Sequence, residues 1–161
     1  MATKGTTKAI DQHTASELAR KRGGVDFGIL ERLLGFAVRR AQIPIYEDFF
    51  QTVENTGITP PLFAALVLID TNPGIRQINL GRALGIAGSG VMSLVDRLER
   101  LGLAERQAVP GDRRANQLAL TRQGRQTLDD LTRRIIEHDE RISSRLTEDE
   151  RNELFRLLAK L

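Results

Sequence analysis

Three helix patterns and a hairpin pattern in quick succession constrain the fold of this chain most strongly. Thr59-Pro60, an N-cap followed by proline at the first helical position, opens a run that is apolar on every side and therefore central. A short second pattern ends at Gly85, and a third ends at Gly102. Apolar and polar residues then alternate around Pro110-Gly111, which is typical of two strands joined by a turn. This order predicts a winged helix-turn-helix.

Long helix patterns flank this segment on both sides. Apolar residues recur at helical spacing from Asp26 to about Asn55, where Pro44 is expected to kink or divide the helix. Thr121 is expected to cap a second long helix, and the capping-box sequence that begins at Thr147 opens a last one. These helices carry more apolar side chains than a winged helix could cover, so a second copy of the chain is expected to cover them. The predicted fold is mainly α with a small β-hairpin wing, a winged helix-turn-helix with N- and C-terminal dimerisation helices.

The middle of the chain is basic although the whole chain has a net charge of only +3. Nine arginines fall between Arg76 and Arg125, against four acidic residues and no lysine. Arginine makes forked contacts with phosphates and guanine edges, which favours an anionic partner. A solvated surface of mixed charge is the alternative.

The third helix pattern, from about Gly88 to Leu101, has the outward chemistry of a DNA recognition helix. Its small residues would let the backbone approach base edges, while Arg97 could hold a phosphate. Each of the two glycines near its start costs about 1 kcal/mol relative to alanine, and close approach to DNA would explain them. An ordinary amphipathic surface helix is the alternative. The expected DNA contacts of this helix are Gly88, Ser89, Gly90, Met92, Ser93 and Arg97.

The turn of the hairpin carries an acid and two arginines. Arg113 and Arg114 are well placed to enter a narrow minor groove, where the negative potential is enhanced. Asp112 is expected to fix the orientation of one arginine and leave the other free. An exposed salt bridge without function is the alternative reading of the same residues. We therefore predict that Asp112, Arg113 and Arg114 form the wing's part of a DNA-binding site.

The order of these elements resembles the MarR family of winged-helix transcriptional regulators. The most specific part is a D-x-R-x-x-x-L-x-L-T pattern, formed by Asp112, Arg114, Leu118, Leu120 and Thr121. The resemblance implies a homodimer that presents two winged helices to a pseudo-palindromic operator. It also implies that a small molecule, often anionic and aromatic, modulates DNA binding. The threonine and arginine that often contact bases in the family are replaced by Gly90 and Ser93, so direct readout of bases is expected to be thin.

These inferences predict three regions. Residues 1–24 form a partly helical extension, residues 25–57 and 122–161 a dimerisation region, and residues 58–121 the DNA-binding domain. The N-terminal segment lacks the apolar run of a signal peptide, and the longest apolar run of the chain is far too short to cross a bilayer. We therefore expect a cytoplasmic protein that does not partner with membranes.

A candidate effector site lies on the N-terminal long helix. A cation beside aromatic rings suits an anionic aromatic ligand, a phenolic acid or its coenzyme A thioester. Aromatic residues of a dimer core beside solvated arginines are the alternative. The candidate residues are Arg39, Arg40, Tyr46, Phe49 and Phe50.

Enzymatic function is not expected, because the sequence offers no convergent set of nucleophile, base or metal ligands. It contains no cysteine, and its only histidines are His13 and His138. We expect His138 to be a solvated residue on a helix face, and we expect no metal or cofactor. The predicted function is a dimeric, ligand-responsive DNA-binding regulator, with a repressor favoured and an activator left open. A dimeric interaction module with a winged-helix fold and no specific DNA binding is the alternative.

Overall fold

The computed structural model describes residues 25–109 and 112–161, and for residues 109 and 112–115 it describes the backbone alone. The extension expected at residues 1–24 lies outside the described residues. The chain divides into two compact units, Met1–Glu47 and Asp48–Leu161. The elements are a 3-10 helix at Gly28–Arg32, α1 at Leu34–Thr52, α2 at Pro60–Thr71, α3 at Gln77–Leu84, α4 at Gly88–Arg100, β1 at Ala104–Val109, β2 at Asp112–Leu120, α5 at Arg122–Ser143 and α6 at Glu148–Leu158.

The N-terminal helix pattern breaks at Leu33 rather than at Pro44. Leu33 has extended backbone angles (φ −98°, ψ 121°), and α1 then continues through Pro44 as one helix. The break brings the rings of Phe27 and Phe36 to 5.5 Å and the guanidinium of Arg40 to 4.9 Å from the Phe27 ring. In an unbroken helix, residues nine apart would lie about 13 Å apart. The prediction that Pro44 could divide the helix is therefore wrong.

The core of the second unit surrounds α2, as its all-round apolar sequence predicts. Ala65, Leu66 and Ile69 of α2 are buried. Each neighbouring element contributes at least one fully buried side chain to the same core: Leu80 of α3, Val95 and Leu98 of α4, Leu118 of β2 and Leu131 of α5. A single core therefore holds the helix-turn-helix, the hairpin and the first turns of α5 together.

Helices α3 and α4 form the predicted helix-turn-helix, with an angle of 110° between them. Gly85 ends α3 in the left-handed conformation (φ 65°), which favours glycine. At Gly81, a Cβ would lie 3.1 Å from the carbonyl oxygen of Ile86 and 3.2 Å from the side chain of Val91. The missing side chain thus permits the close approach of α3 and α4.

Strands β1 and β2 form the predicted antiparallel hairpin. Their register runs from Ala104 opposite Leu120 to Ala108 opposite Asn116, and it shifts between Ala108 and Val109. Leu118 and Leu120 face the core, as the alternation predicts. The backbone N–H of Leu118 also donates to the carbonyl of Ile75 at 2.9 Å. The segment before α3 therefore pairs with the outer edge of β2 and ties the hairpin base to the helix-turn-helix.

Two of the three predicted threonine caps, Thr121 and Thr147, are confirmed by side-chain hydrogen bonds, whereas Thr59 occupies the N-cap position of α2 without one. The hydroxyl of Thr121 accepts from the N–H of Gly124 at 2.9 Å and begins α5. A Cβ on Gly124 would overlap the carbonyl group of Leu103, so glycine is required where α5 meets the start of the hairpin. Thr147 and Glu150 form a complete capping box at the start of α6.

Large apolar side chains remain exposed at both ends of the described chain. At the N-terminal end these are Val25, Ile29, Leu30, Leu33, Leu34 and Val38, and at the C-terminal end they are Leu146, Leu154, Phe155, Leu157, Leu158 and Leu161. Among the described helices, none is by itself both long and apolar enough to cross a membrane, and only α3 and α4 taken together, with their 110° bend, reach the required length and composition.

Candidate nucleic-acid interface

Helix α4 has two faces of opposite character, as the sequence predicts. Val91, Leu94, Val95 and Leu98 are buried, none of them more than 9% exposed. All six candidate residues of the helix, Gly88, Ser89, Gly90, Met92, Ser93 and Arg97, are exposed, and so is Arg100. The buried stripe fixes the helix to the core, so the outer face is presented in a defined orientation.

The polar groups of this face are partly engaged within their own helix. The hydroxyl of Ser93 donates to the carbonyl of Ser89 at 3.1 Å, and Nε of Arg100 donates to the carbonyl of Asp96 at 3.3 Å. The guanidinium of Arg97 lies over the turn between α1 and α2, where a Cβ on Gly57 would be 3.3 Å from Nη2 of Arg97. Arg97 thus lies at the edge of the face, beside the turn between α1 and α2.

The two glycines at the start of α4 have different structural reasons. A Cβ on Gly90 would lie 2.6 Å from Cγ2 of Ile86, so glycine is needed there for packing within the chain. At Gly88, no described atom would lie within 4 Å of a Cβ. Packing within the chain therefore accounts for Gly90. Close approach to DNA stays a prediction for Gly88, whose backbone no described atom covers.

Arg106 on β1 joins the hairpin to α4, a role that the sequence reasoning missed. Its backbone N–H donates to Oε1 of Glu99 at 3.1 Å, and its guanidinium forms an ion pair with the same carboxylate. The guanidinium also donates to Oδ1 of Asp96 at 2.7 Å and to the side-chain carbonyl of Gln77 on α3 at 3.2 Å. This cluster, the Arg106 clamp, offsets one of the two negative charges of Asp96 and Glu99 and so weakens their repulsion of phosphates near α4. One arginine of the basic segment between Arg76 and Arg125 is therefore paired within the protein.

The wing residues lie at the limit of the described structure. The backbone of Asp112, Arg113 and Arg114 forms the start of β2, and their side chains lie outside the described residues. Their role on DNA stays a prediction. The described part of the hairpin is held by the pairing of β1 with β2 and by the backbone hydrogen bond from Leu118 to Ile75.

His138 lies in an ion-pair network, which corrects the expectation of a solvated histidine. It is 5% exposed, and its Nδ1 lies 2.7 Å from Oδ1 of Asp48. Since an ionised carboxylate only accepts, Nδ1 is the donor. Arg141 donates to Asp48 at 2.8 Å and to the hydroxyl of Thr52 at 2.7 Å. The hydrogen bonds from Arg141 and then from His138 lower the pKa of Asp48 to about 2. Amphipathic spacing did not reveal this partner, because Asp48 lies 90 residues away in the sequence.

The candidate effector residues fall into both units of the chain. In the first unit, Arg39 donates to the side chain of Gln42 at 3.2 Å, and Gln42 donates to the hydroxyl of Tyr46 at 3.1 Å. Arg40 lies over the ring of Phe27, an aromatic residue that the sequence reasoning did not include. In the second unit, Phe49 is buried and contacts His138, while Phe50 is exposed. Within residues 25–109 and 112–161, no group of three potential metal ligands could hold an ion.

The comparisons with known proteins agree with this architecture. The profile described as the MarR family matches residues 56–115. A putative transcriptional regulatory protein for the hcr operon of Thauera aromatica is 37% identical over 129 residues, which span 80% of this chain and 78% of that protein. The chain belongs to the MarR family. It is therefore a transcriptional regulator rather than an enzyme, as the sequence predicts.

Two solved structures of one MarR-family repressor are also similar to this chain. The transcriptional repressor CouR bound to a 23-mer DNA duplex superposes with a TM-score of 0.78 at 37% identity, covering 86% of this chain and 98% of that one. CouR bound to p-coumaroyl-CoA superposes with a TM-score of 0.77 at 35% identity, covering 84% and 95%. These similarities confirm the winged-helix fold of this MarR-family chain.

Proposed function

We propose that this MarR-family regulator acts as a homodimeric repressor on a pseudo-palindromic operator and is released by a small anionic aromatic molecule. The single observation that carries the DNA-binding part is the outer face of α4. It is polar and carries Arg97 and Arg100, its two carboxylates are ion-paired with Arg106, and the hairpin lies next to it in the fold. Such a regulator would act in the cytoplasm.

Contacts with DNA would divide between two kinds of residue. The small residues at the start of α4 would approach base edges in the major groove, while Arg97 would hold a phosphate. Asp112, Arg113 and Arg114 would bring the wing to the minor groove or backbone. The DNA complex of CouR, at 37% identity, supports this arrangement by similarity.

Dimerisation is supported by the apolar residues that the chain leaves exposed. α6 carries Leu154, Leu157 and Leu158 on its surface, and an apolar groove of about 490 Å³ lies between Leu146 and Leu157. Helices that cannot bury their apolar stripe alone need a partner. A symmetric pair would set the two α4 helices about 34–36 Å apart, one turn of DNA. The division into an extension at 1–24, dimerisation regions at 25–57 and 122–161 and a DNA-binding domain at 58–121 is part of this proposal.

The effector class is proposed from the chemistry of α1 and from one relative. In the first unit Arg39, Arg40 and Tyr46 supply cations and a phenol, and in the second Phe49 and Phe50 supply rings; residues of these types suit a phenolic acid or its coenzyme A thioester. CouR has been solved with p-coumaroyl-CoA, a compound of that class.

Fluorescence anisotropy tests the proposal on the DNA immediately upstream of the coding sequence, with excess random competitor at near-physiological salt. Saturable nanomolar binding that survives the competitor is expected. A panel of phenolic acids and their thioesters is then added to the complex, with acetyl-CoA as the control whose acyl group lacks an aromatic ring. Release by the aromatic thioesters or acids alone is expected. Binding that disappears with the competitor at this DNA and on every sequence selected from a random library would favour the interaction module without specific DNA binding.

A further inference from the structure

The first two turns of α4 lack the side chains that usually distinguish one base pair from another. Between Gly88 and Val95 there is no arginine, lysine, asparagine, glutamine or acid. The hydroxyl of Ser93 already donates to the carbonyl of Ser89 within the helix. Serine contacts bases without a strong preference, whereas bidentate arginine, asparagine or glutamine discriminates. Polar direct readout from this half of the helix is therefore weak.

Met92 is the one large side chain that is exposed in these two turns. Its side chain is 54% exposed, whereas the other large side chains of these turns, Val91, Leu94 and Val95, are buried in the core. Helical side chains lean toward the N-terminus, so Met92 lies over the turn that contains Ser89 and Gly88. That end of a recognition helix faces base edges in helix-turn-helix proteins. Because Gly88 has no side chain, nothing from that residue covers Met92.

The chemistry of the major groove leaves one good partner for such a side chain. Base edges present ring nitrogens, carbonyls and amino groups, and the only apolar group among them is the C5-methyl of thymine. A methionine side chain is apolar, unbranched and polarisable, so it adapts to a methyl group and gains nothing from the polar edges. The exposure of Met92 on a polar face is explained if binding to DNA buries its side chain.

We infer that Met92 contacts the C5-methyl group of a thymine in each half of the operator and is the specificity-determining residue of α4. This inference rests on the proposed function, since it requires α4 to lie in the major groove. It adds what the proposed function leaves open, namely the base that the helix reads. The operator half-site must then carry a thymine at the position that faces the first two turns of α4.

Replacement of thymine by deoxyuridine tests the inference, because it removes the methyl group and nothing else. The operator is first selected from a random duplex library with the full-length protein. Each thymine in one half-site is then replaced in turn, and affinity is measured by anisotropy. Burial of one methyl is worth about 0.8 kcal/mol, so binding should weaken about fourfold at one or two adjacent positions and stay unchanged elsewhere.

Variants of Met92 assign the effect to this side chain. Met92→Ala and Met92→Gln should bind the thymine and deoxyuridine duplexes equally, while Met92→Leu should keep the discrimination. Ser93→Ala, a change at another expected DNA contact on the same face, should keep the fourfold ratio whatever its effect on overall affinity. Thermal unfolding checks that the variants are folded, which is expected because Met92 is exposed.

The outcomes separate the inference from the proposed function. A selected operator whose thymines can all be replaced without loss contradicts the inference alone. Equal loss of affinity by Met92→Ala on both duplexes, with the fourfold ratio retained, also contradicts it. A selection that enriches no sequence contradicts both the inference and the proposed function.

Discussion

Helices α4 and α6 are both amphipathic, but the chain covers the apolar stripe of only one of them. The stripe of α4 is buried against α2, α3 and the hairpin, and Leu98 is completely inaccessible to solvent. None of the residues of α6, all of which are described, is buried, and Phe155 is 61% exposed. What remains exposed on α4 is mostly polar, and what remains exposed on α6 includes four large apolar residues.

This difference indicates two kinds of partner. A polar, arginine-bearing face that is rigidly attached to a core suits an anionic ligand with fixed geometry, such as a DNA duplex. An apolar face on a terminal helix suits another apolar face, which a second copy of the chain supplies. The family's function as a transcriptional regulator fits the first partner, and the proposed homodimer accounts for the second.

The largest expected effect is on folding, at Leu98. Leu98→Ala should lower the free energy of unfolding by about 3 kcal/mol, because it leaves a cavity at the centre of the core. Urea denaturation measures this loss, which should be independent of protein concentration. Leu157→Ala on α6 is the control, and its effect should instead shrink as the protein is diluted, because the wild-type dimer then dissociates as well. A concentration-dependent loss at Leu98 would contradict the contrast between the two helices.

The next effect is on assembly, at Phe155. Phe155→Asp places a charge in the apolar face of α6, and we expect the dimer to dissociate at least about a hundredfold more readily, about 2.7 kcal/mol. Sedimentation equilibrium measures the dissociation constant. Phe155→Leu keeps an apolar side chain and should change it little. If both variants remain as dimeric as the wild type, α6 is not the dimer interface.

A smaller effect is expected at the Arg106 clamp. Arg106→Gln removes the ion pairs with Glu99 and Asp96, so the hairpin is held less firmly on α4 and two carboxylates face the DNA uncompensated. DNA affinity should fall about tenfold, about 1.4 kcal/mol. Glu99→Gln combined with Arg106→Gln should bind DNA no worse than Arg106→Gln alone, because the two residues act as a pair. Strictly additive losses in anisotropy titrations would show that they act separately.

The smallest effect concerns pH, at Asp48. Its pKa of about 2 lies below the value of about 3.9 in an unfolded chain, so its hydrogen bonds stabilise the folded state above pH 4. That contribution is lost as the pH falls from about 4 to about 2. With allowance for the partial exposure of Asp48, Asp48→Asn should cost about 1 kcal/mol at pH 7. Urea denaturation across this pH range should show the variant and the wild type converging, and a constant difference would contradict the assignment.

The sequence predicted the elements whose determinants are local. The caps at Thr121 and Thr147, the left-handed Gly85 and the buried face of Leu118 and Leu120 each depend on residues within one turn or one strand. The two faces of α4 were predictable for the same reason, since helical periodicity alone assigns them.

The features that the sequence did not reveal depend on contacts between distant segments. The break of the N-terminal helix at Leu33 rather than Pro44 is a more local case, and it lets Phe27 pack on Phe36 and Arg40. The buried His138 has its hydrogen-bonding partner in Asp48, which lies far away in the sequence and accepts a hydrogen bond from it. From the sequence, Arg106 is one of the arginines that make the middle segment basic, whereas in the structure it is paired with two carboxylates. Residue types and spacing cannot assign such pairs without the tertiary fold.

The salt dependence of DNA binding tests most directly whether the outer face of α4 meets DNA. Arg97→Ala should weaken binding to operator and random duplexes alike and reduce the slope of log affinity against log salt by about one per chain, because each arginine releases one phosphate's counterions. Arg133→Ala, a change at another exposed arginine on α5 that leaves Asp130 paired with Arg134, should leave the slope unchanged. A wild-type slope in Arg97→Ala, or a loss confined to the operator, would contradict the account.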